Sequence, residues 1–534
     1  MGVYGGMKHA ALLALLFCTT GMACAGRPLP KRVWQLQDYN MPHIARVIEL
    51  ARRYGINEVQ LSHNIVMSAE QVLENEKLAA DINTICKHAH RNRVRVSAWT
   101  HELSGVPADF FVDNKVNLDD PKLWAWLNDK YNRVFDTCPD LDGIVLTFHE
   151  TQASVYHDGS VVSSLTPPQR VAKLIDTLAG ICGSRGKELV VRSFCHQPSE
   201  LQFIKEGFAQ AKSKFVVMSK CQPHDWQPFY PHNPLIGDVG GHPQIVEFDC
   251  GHEFLGQGDI PYIDVEYMKG RLDYGLSKGV VGAVARIERY GNHALDTPNW
   301  ANVYVFSKLL QDPSQDPDRL LEEYVSQRYG KKAAPHVAPA LKRTFDIMNK
   351  TFFVLGFWIT DHSRIPSYGY ALGHLEERST AKWDPDPKWA EIEKRLMAPD
   401  WVTLREIQRE KDQALALCRK SLRELESTRP LLASSDYEEL MTYFKREEAV
   451  VRTWRAYLDA FFGVRAYEAW GDPAYRTRAE QSIAESLECA EKYNMELREV
   501  TGDGAGDAVH RIGEFVKEFR AKLEAKAAVK TTSQ

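Results

Sequence analysis

Eight short runs rich in β-branched and aromatic residues recur between residues 32 and 287, with amphipathic stretches between them. This alternation restricts the chain to very few folds. The runs are Arg32–Leu36, Glu58–Leu61, Val94–Trp99, Gly143–Phe148, Glu188–Phe194, Phe215–Lys220, Gln244–Phe248 and Val280–Ile287. Ile144-Val145-Leu146 and Phe215-Val216-Val217-Met218 are unbroken apolar runs, as strands covered on both faces require. His43–Arg53, Glu70–Arg91, Pro168–Ile181, Pro198–Ala211 and Asp264–Ser277 carry helical spacing. Eight such units in about 280 residues predict a (β/α)8 TIM barrel, class α/β. An open doubly wound sheet should place a glycine-rich phosphate turn after its first strand. The turn here reads Gln35-Leu36-Gln37-Asp38-Tyr39-Asn40, which favours the barrel.

Beyond Gln311 strand-like runs nearly vanish and long amphipathic stretches follow: Trp401–Ser427, Ser435–Trp470, Pro473–Thr501 and Ala508–Ala527. Breaks at Gly471-Asp472-Pro473 and Gly502-Asp503-Gly504 suggest antiparallel helices in a bundle. The expected organisation is a leader at 1–25, a catalytic barrel at 26–310, capping loops and helices at 311–400, and an all-α domain at 401–534. Thr351–Asp400, rich in Trp, Tyr, Gly and Pro, reads as ordered loops packed across the barrel mouth. The helical domain is the surface through which a homodimer would form.

Lys8 and His9 precede a short apolar core, Ala10–Cys18, and the small-residue site Ala23-Cys24-Ala25 follows. This reads as a secretory signal peptide cleaved before Gly26, too short to span a bilayer. The expected location is the periplasm or the extracellular space, with lipidation at Cys24 as the alternative. The remaining eight cysteines include no CxxC pair and are too sparse for a disulfide scaffold. They read as buried thiols, although export permits one or two bridges. A net charge of −5 offers no global attraction to nucleic acid. No transmembrane span is expected in the mature chain. Walker A, GxSxG and dinucleotide fingerprints are absent, and no cofactor or metal is expected.

In such barrels chemistry collects just past the C-terminal ends of the strands. Those positions carry His63, then Trp99 with His101 and Glu102, then His149 and Glu150. Arg192 and His196 follow, then Lys220 with His224, Asp225 and Trp226, then His252 and Glu253, and finally Arg286, Glu288 and Arg289. Each lone carboxylate there can equally be a helix cap or an ion-pair partner. Convergence singles out Glu150, Asp225 and Glu253, after strands four, six and seven. A protonated and an ionised carboxyl group across a glycosidic bond are the minimum for hydrolysis. Trp34, Trp99 and Trp226 offer aromatic faces for sugar rings, and the histidines offer polar contacts.

Lys220-Cys221-Gln222-Pro223-His224-Asp225 resembles the K-N-G-P-x-D segment of glycoside hydrolase family 67, the α-glucuronidases. Glu247-Phe248-Asp249-Cys250-Gly251-His252-Glu253-Phe254-Leu255-Gly256-Gln257 is similar to that family's E-x-Q-x-x-Q-E-Y-x-G-Q segment, the more specific of the two. His149-Glu150-Thr151-Gln152 resembles its D-S-E-G-Q acid segment, keeping the Glu and Gln. Asp296-Thr297-Pro298-Asn299-Trp300-Ala301-Asn302-Val303-Tyr304 looks like its link to the C-terminal domain. The resemblance spans roughly residues 90–400. It implies a (β/α)8 glycoside hydrolase removing an α-linked uronic acid from oligosaccharides by inversion. In that reading Glu150 is the general acid, with a raised pKa, and Asp225 with Glu253 activates the attacking water. Arg192 and Lys220 would hold the uronate carboxylate. His101, His149, His196 and His252, with the three tryptophans, would line the subsite.

The chain departs from the family in lacking its N-terminal β-rich domain and in carrying His149, His224, Gly251 and His252 at signature positions. Two other classes are open. A metal-dependent barrel would draw ligands from His63, His101, Glu102, His196, Asp225, His252 and Glu253. A non-catalytic carbohydrate-binding barrel would bind oligosaccharide without turnover.

Overall fold

The computed structural model describes residues 26–289, 292–377, 379–500 and 508–532. The expected leader at 1–25, with Cys24, lies outside the described residues. Eight parallel strands close a barrel in sequence order. They are β1 (Lys31–Leu36), β2 (Glu58–Leu61), β3 (Arg95–His101), β4 (Gly143–Thr147), β5 (Glu188–Arg192), β6 (Val216–Lys220), β7 (Gln244–Asp249) and β8 (Gly282–Arg286). Closure sets β1 beside β8, with Trp34 opposite Ala285 and Gln35 opposite Arg286. At the strand starts backbones press together. A Cβ at Gly282 would meet the Lys31 carbonyl oxygen at 2.2 Å, and one at Gly143 the Glu188 carbonyl oxygen at 2.4 Å. Only glycine fits such an approach.

Strand parity divides two cores. Val33, Trp99, Val145, Val190, Val216, Met218, Ile245 and Val284 fill the barrel interior. Trp34, one residue from Val33, points to the surrounding helices and joins the larger core. Those helices are α1 (Met41–Arg53), α2 (Glu76–Arg91), α3 (Pro121–Thr137), α4 (Pro167–Ser184), α5 (Pro198–Gln210), α6 (Val265–Ser277) and α7 (Trp300–Gln311). Asn or Asp side chains cap α1, α2 and α3. Asn40 accepts the His43 N–H at 3.1 Å, and Asn75 accepts the Leu78 N–H at 3.0 Å.

The barrel departs from eight full units after β6, where residues 221–243 form no helix. Five prolines (223, 228, 231, 234 and 243) remove donors there, and Gly237, Gly240 and Gly241 take positive φ. The chain winds irregularly past the mouth and carries Asp225 and Trp226 with it.

Helices α8 (Pro317–Tyr329) and α9 (Ala334–Phe352) lead to a short hairpin, Phe353–Val354 with Phe357–Trp358. Three short helices follow: α10 (Tyr368–Glu377), α11 (Thr380–Trp383) and α12 (Pro387–Met397). The long helices α13 (Trp401–Glu426), α14 (Ser434–Trp470) and α15 (Pro473–Lys492) then pack together, joined by α16 (Asn494–Val500) and α17 (Ala508–Thr532). The α14–α15 break is built as the residues dictate. Gly471 closes α14 in the left-handed region, and Asp472 caps α15 by accepting the Ala474 N–H at 2.9 Å. Among the described residues no helix is long and apolar enough to cross a membrane. All eight described cysteines are thiols, seven of them buried.

Candidate active site

Trp99, 1% exposed, roofs the apolar barrel interior and forms the floor of the mouth. The Arg192 guanidinium lies 4.8 Å from its ring centre, and the His63 ring stands 5.3 Å away. Around this floor, strand ends turn through strained backbone. His63, His149, Glu150 and His252 all take positive φ, rare for residues with a Cβ. At His149 and Glu150 two consecutive residues do so, and buried Glu102 holds them there. Its carboxylate accepts N–H bonds from His149 (3.0 Å) and Val155 (2.8 Å) and the Ser154 hydroxyl (3.0 Å). Burial pushes the Glu102 carboxyl up to about 7. Glu102 therefore sets the loop that presents Glu150.

The three acids named from sequence meet different surroundings. Glu150 is half-exposed, and His101 Nε2 faces its carboxylate at 3.9 Å. His101, then Arg192, His63 and Lys220, hold its carboxyl down to about 2 against the burial that would raise it. The raised pKa expected of a general acid is thus reversed here, because the mouth around Glu150 is cationic. Asp225 is partly buried and takes the Lys220 ammonium on Oδ1 at 2.8 Å. Burial opposes its charge, but its neighbours, Lys220 foremost, hold the carboxyl well below the usual range. His224 Nδ1 accepts the Asp225 backbone N–H at 2.6 Å and lies 3.1 Å from Oδ2. A ring nitrogen accepting that bond carries no proton, so it gives Oδ2 no hydrogen bond. Glu253 is more tightly held. Its Oε2 meets Arg286 Nη1 at 2.8 Å, its Oε1 meets Arg289 Nη2 at 2.6 Å, and His362 stands 3.5 Å from Oε1. These cations, Arg289 foremost, outweigh burial and keep it ionised. The Asp249 carboxylate accepts the His252 and Glu253 N–H groups at 2.9 and 2.7 Å and fixes the turn.

The field of His63 ties the sides together: Arg286, Arg289, Glu253 and Glu150 all act on its imidazole. Burial, the first cause, and the two arginines push that ring well below the usual histidine range. Trp226 sits between the Lys220 ammonium (4.7 Å) and the Arg286 guanidinium (5.6 Å), with its indole N–H buried and without a hydrogen-bond partner. The His149 and His196 rings lie 4.3 Å apart, tilted by 40°, and His196 stands 5.6 Å from His224.

Several expectations are corrected. Trp34 is fully buried outside the barrel, donating to the Ser307 hydroxyl at 3.2 Å and packing on Tyr54 and Trp300, so it offers no sugar platform. His252 turns behind the mouth, accepting the Asn302 amide at 2.8 Å and packing on Tyr262. Arg192 gives its fork to Glu247, through Nε at 2.7 Å and Nη2 at 3.3 Å, so the fork is not open to a uronate. His149 bonds Glu200 at 2.9 Å, and Glu200 also accepts the His196 and Gln197 N–H groups. Among the described residues, the ligands envisaged for a metal-dependent barrel form no cluster. The groups that could hold an ion are instead His149, His157, Glu200 and His43, Glu288, His293.

Spacing alone did not reveal His362 or Trp383, which the segment after α9 brings to the mouth. His362 pairs with Glu253 and Asp361, and Trp383 stands 5.4 Å from His224. Burial works against charge on His362, but Asp361 and Glu253 carry its pKa up to about 9.

No family model matches the sequence, and no curated protein matches it. Among solved structures the chain is similar to a GH138 enzyme targeting pectin rhamnogalacturonan II. The TM-score is 0.66 at 10% identity, covering 95% of this chain and 85% of that one. It is also similar to an O-GlcNAc hydrolase of Thermobaculum terrenum, with TM-score 0.48 at 12% identity, covering 95% and 96%. At these identities the likeness is one of fold. The likeness to the GH138 enzyme supports the fold and does not bear on the α-glucuronidase resemblance.

Proposed function

We propose that the chain is an exported glycoside hydrolase that cleaves an α-linked uronic acid from oligosaccharides by inversion. One observation carries the reading: three carboxylates from different strand ends of one barrel stand among Arg, Lys, His and Trp, each with its charge set differently. Glu150 is the accessible one and serves as general acid. It is ionised at rest because the mouth is cationic. An anionic sugar entering beside Lys220 and His101 neutralises that field and expels water, both of which raise the Glu150 pKa. Protonation of the leaving oxygen is thereby coupled to binding of the correct charge. Asp225 serves as base, with Oδ1 on Lys220 and Oδ2 open to a water on the opposite face of the ring. Glu253 is too heavily paired to take a proton readily. It fixes Arg286 and Arg289 as the positive wall of the subsite, a different role from the base expected from sequence. The shared fold with a pectin-targeting enzyme supports a carbohydrate substrate.

A panel of aryl α-uronides and matching neutral glycosides tests the reading. Uronides should be cleaved with the higher kcat/KM, and their KM should rise with ionic strength as screening weakens the cationic field. Equal rates on neutral glycosides remove the uronate assignment. Export is checked by the N-terminus of the mature protein, expected at Gly26.

A further inference from the structure

Where β8 closes against β1, two histidines and a glutamate that are distant in sequence converge on one point outside the proposed catalytic set. His43 comes from the first turn of α1, Glu288 follows β8, and His293 pairs with Glu288 across a short antiparallel ladder. Their ligand atoms all lie within 4.8 Å of one another. We propose that His43 Nε2, His293 Nδ1 and Glu288 Oε1 form a divalent transition-metal site of the zinc class that clasps the end of the barrel to its beginning.

The geometry supports this atom by atom. Glu288 is fully buried, and its Oε2 is taken by the backbone N–H groups of Gln37 (2.8 Å) and Asp38 (2.9 Å). Its Oε1 is left facing the two imidazoles, 2.6 Å from His43 Nε2 and 3.7 Å from His293 Nδ1. Donors at about 2.0–2.2 Å from a tetrahedral zinc are about 3.3 Å apart, a value those two separations bracket. His293 Nδ1 is buried without a hydrogen-bond partner, while Nε2 of the same ring lies 3.3 Å from Asp38 Oδ2. A carboxylate on the far nitrogen fixes the tautomer whose near nitrogen presents a lone pair, as metal-bound histidines require. The imidazole centres are 3.6 Å apart with their planes tilted by 51°, so the two rings touch beside the same carboxylate oxygen. Zinc would displace the proton shared between His43 Nε2 and Glu288 Oε1, and that proton leaves to solvent. The other His/His/Glu group is less suited. There the two imidazoles fall on different oxygens of Glu200, His149 on Oε2 at 2.9 Å and His157 on Oε1 at 2.8 Å, whereas His43 and His293 face the same oxygen of Glu288.

The test uses the full chain, chelator-treated and then supplied with Zn²⁺. Elemental analysis should find one equivalent bound, and Tm should rise with added Zn²⁺. His293→Ala, at the partly exposed ligand, should abolish uptake. Asp38→Asn, which keeps all three ligands, should weaken affinity by about ten- to a hundredfold. His149→Ala should leave uptake unchanged. Absence of stoichiometric uptake by the wild-type chain overturns the proposal. So does uptake that survives His293→Ala or is lost in His149→Ala. None of these readouts depends on glycosidase activity.

Discussion

Glu253 at the barrel mouth and Glu447 in the helical bundle are both buried glutamates, and the chain treats them in opposite ways. Glu253 lies between two arginines and a histidine and is held ionised. Glu447, on α14, is fully buried with neither oxygen hydrogen-bonded. Burial pushes its carboxyl up to about 8, opposed by the Cys418 thiol and Arg343. A bundle of packed helices can tolerate a carboxylic acid by keeping its proton. The mouth keeps Glu253 charged by stationing cations beside it, without which desolvation would cost several kcal/mol.

The largest expected effect breaks the mouth side of this contrast. Glu253→Ala leaves Arg286 and Arg289 buried without their shared carboxylate and should destabilise the fold by about 3–5 kcal/mol in denaturant titration. Glu447→Gln should act in the other direction, with a pH dependence. In the wild type the folded pKa lies near 8 against an ordinary 4.5, so stability is complete below 4.5 and falls as pH rises through 8. The loss by pH 9 is on the order of 5 kcal/mol. Glu447→Gln should match the wild type near pH 4.5, exceed it increasingly up to about pH 8 and hold that margin above it; parallel pH profiles would show that Glu447 is not held protonated. Arg192→Ala should also cost stability, because Glu247 loses its bidentate partner, and it should lower kcat/KM for neutral and anionic substrates alike. A loss confined to uronides would return Arg192 to the substrate. Smallest is Trp34→Phe, expected to cost about 1–2 kcal/mol and to leave KM unchanged, since the ring packs behind the barrel.

All eight strands were legible because unbroken β-branched runs between amphipathic stretches have few other meanings. The absence of a helix after β6 departs from the eight full units expected; the five prolines of 221–243 account for it. What stayed hidden follows from the same burial that revealed the strands. A strand apolar on both faces does not declare which parity points inward, so Trp34 read as a mouth residue while Val33 took the interior. The Arg192–Glu247 pair joins β5 to β7 across β6, a relation set by barrel curvature rather than by spacing. His362 reaches Glu253 from more than 100 residues downstream, on a strap that Arg511 of α17 anchors by donating to the Ile365 carbonyl at 2.8 Å. The positions of Glu150, Asp225 and Glu253 at strand ends could be read; their unequal charge environments could not.

The most direct measurement is hydrolysis of an α-uronide by the wild-type chain and by Glu150→Gln, with the released anomer followed by NMR. The account predicts turnover with inversion in the wild type. In the variant it predicts a fall of about 10²–10⁴ on substrates with poor leaving groups, with binding retained. An unchanged rate in Glu150→Gln, or wild-type protein that binds the uronide and never cleaves it, would contradict it.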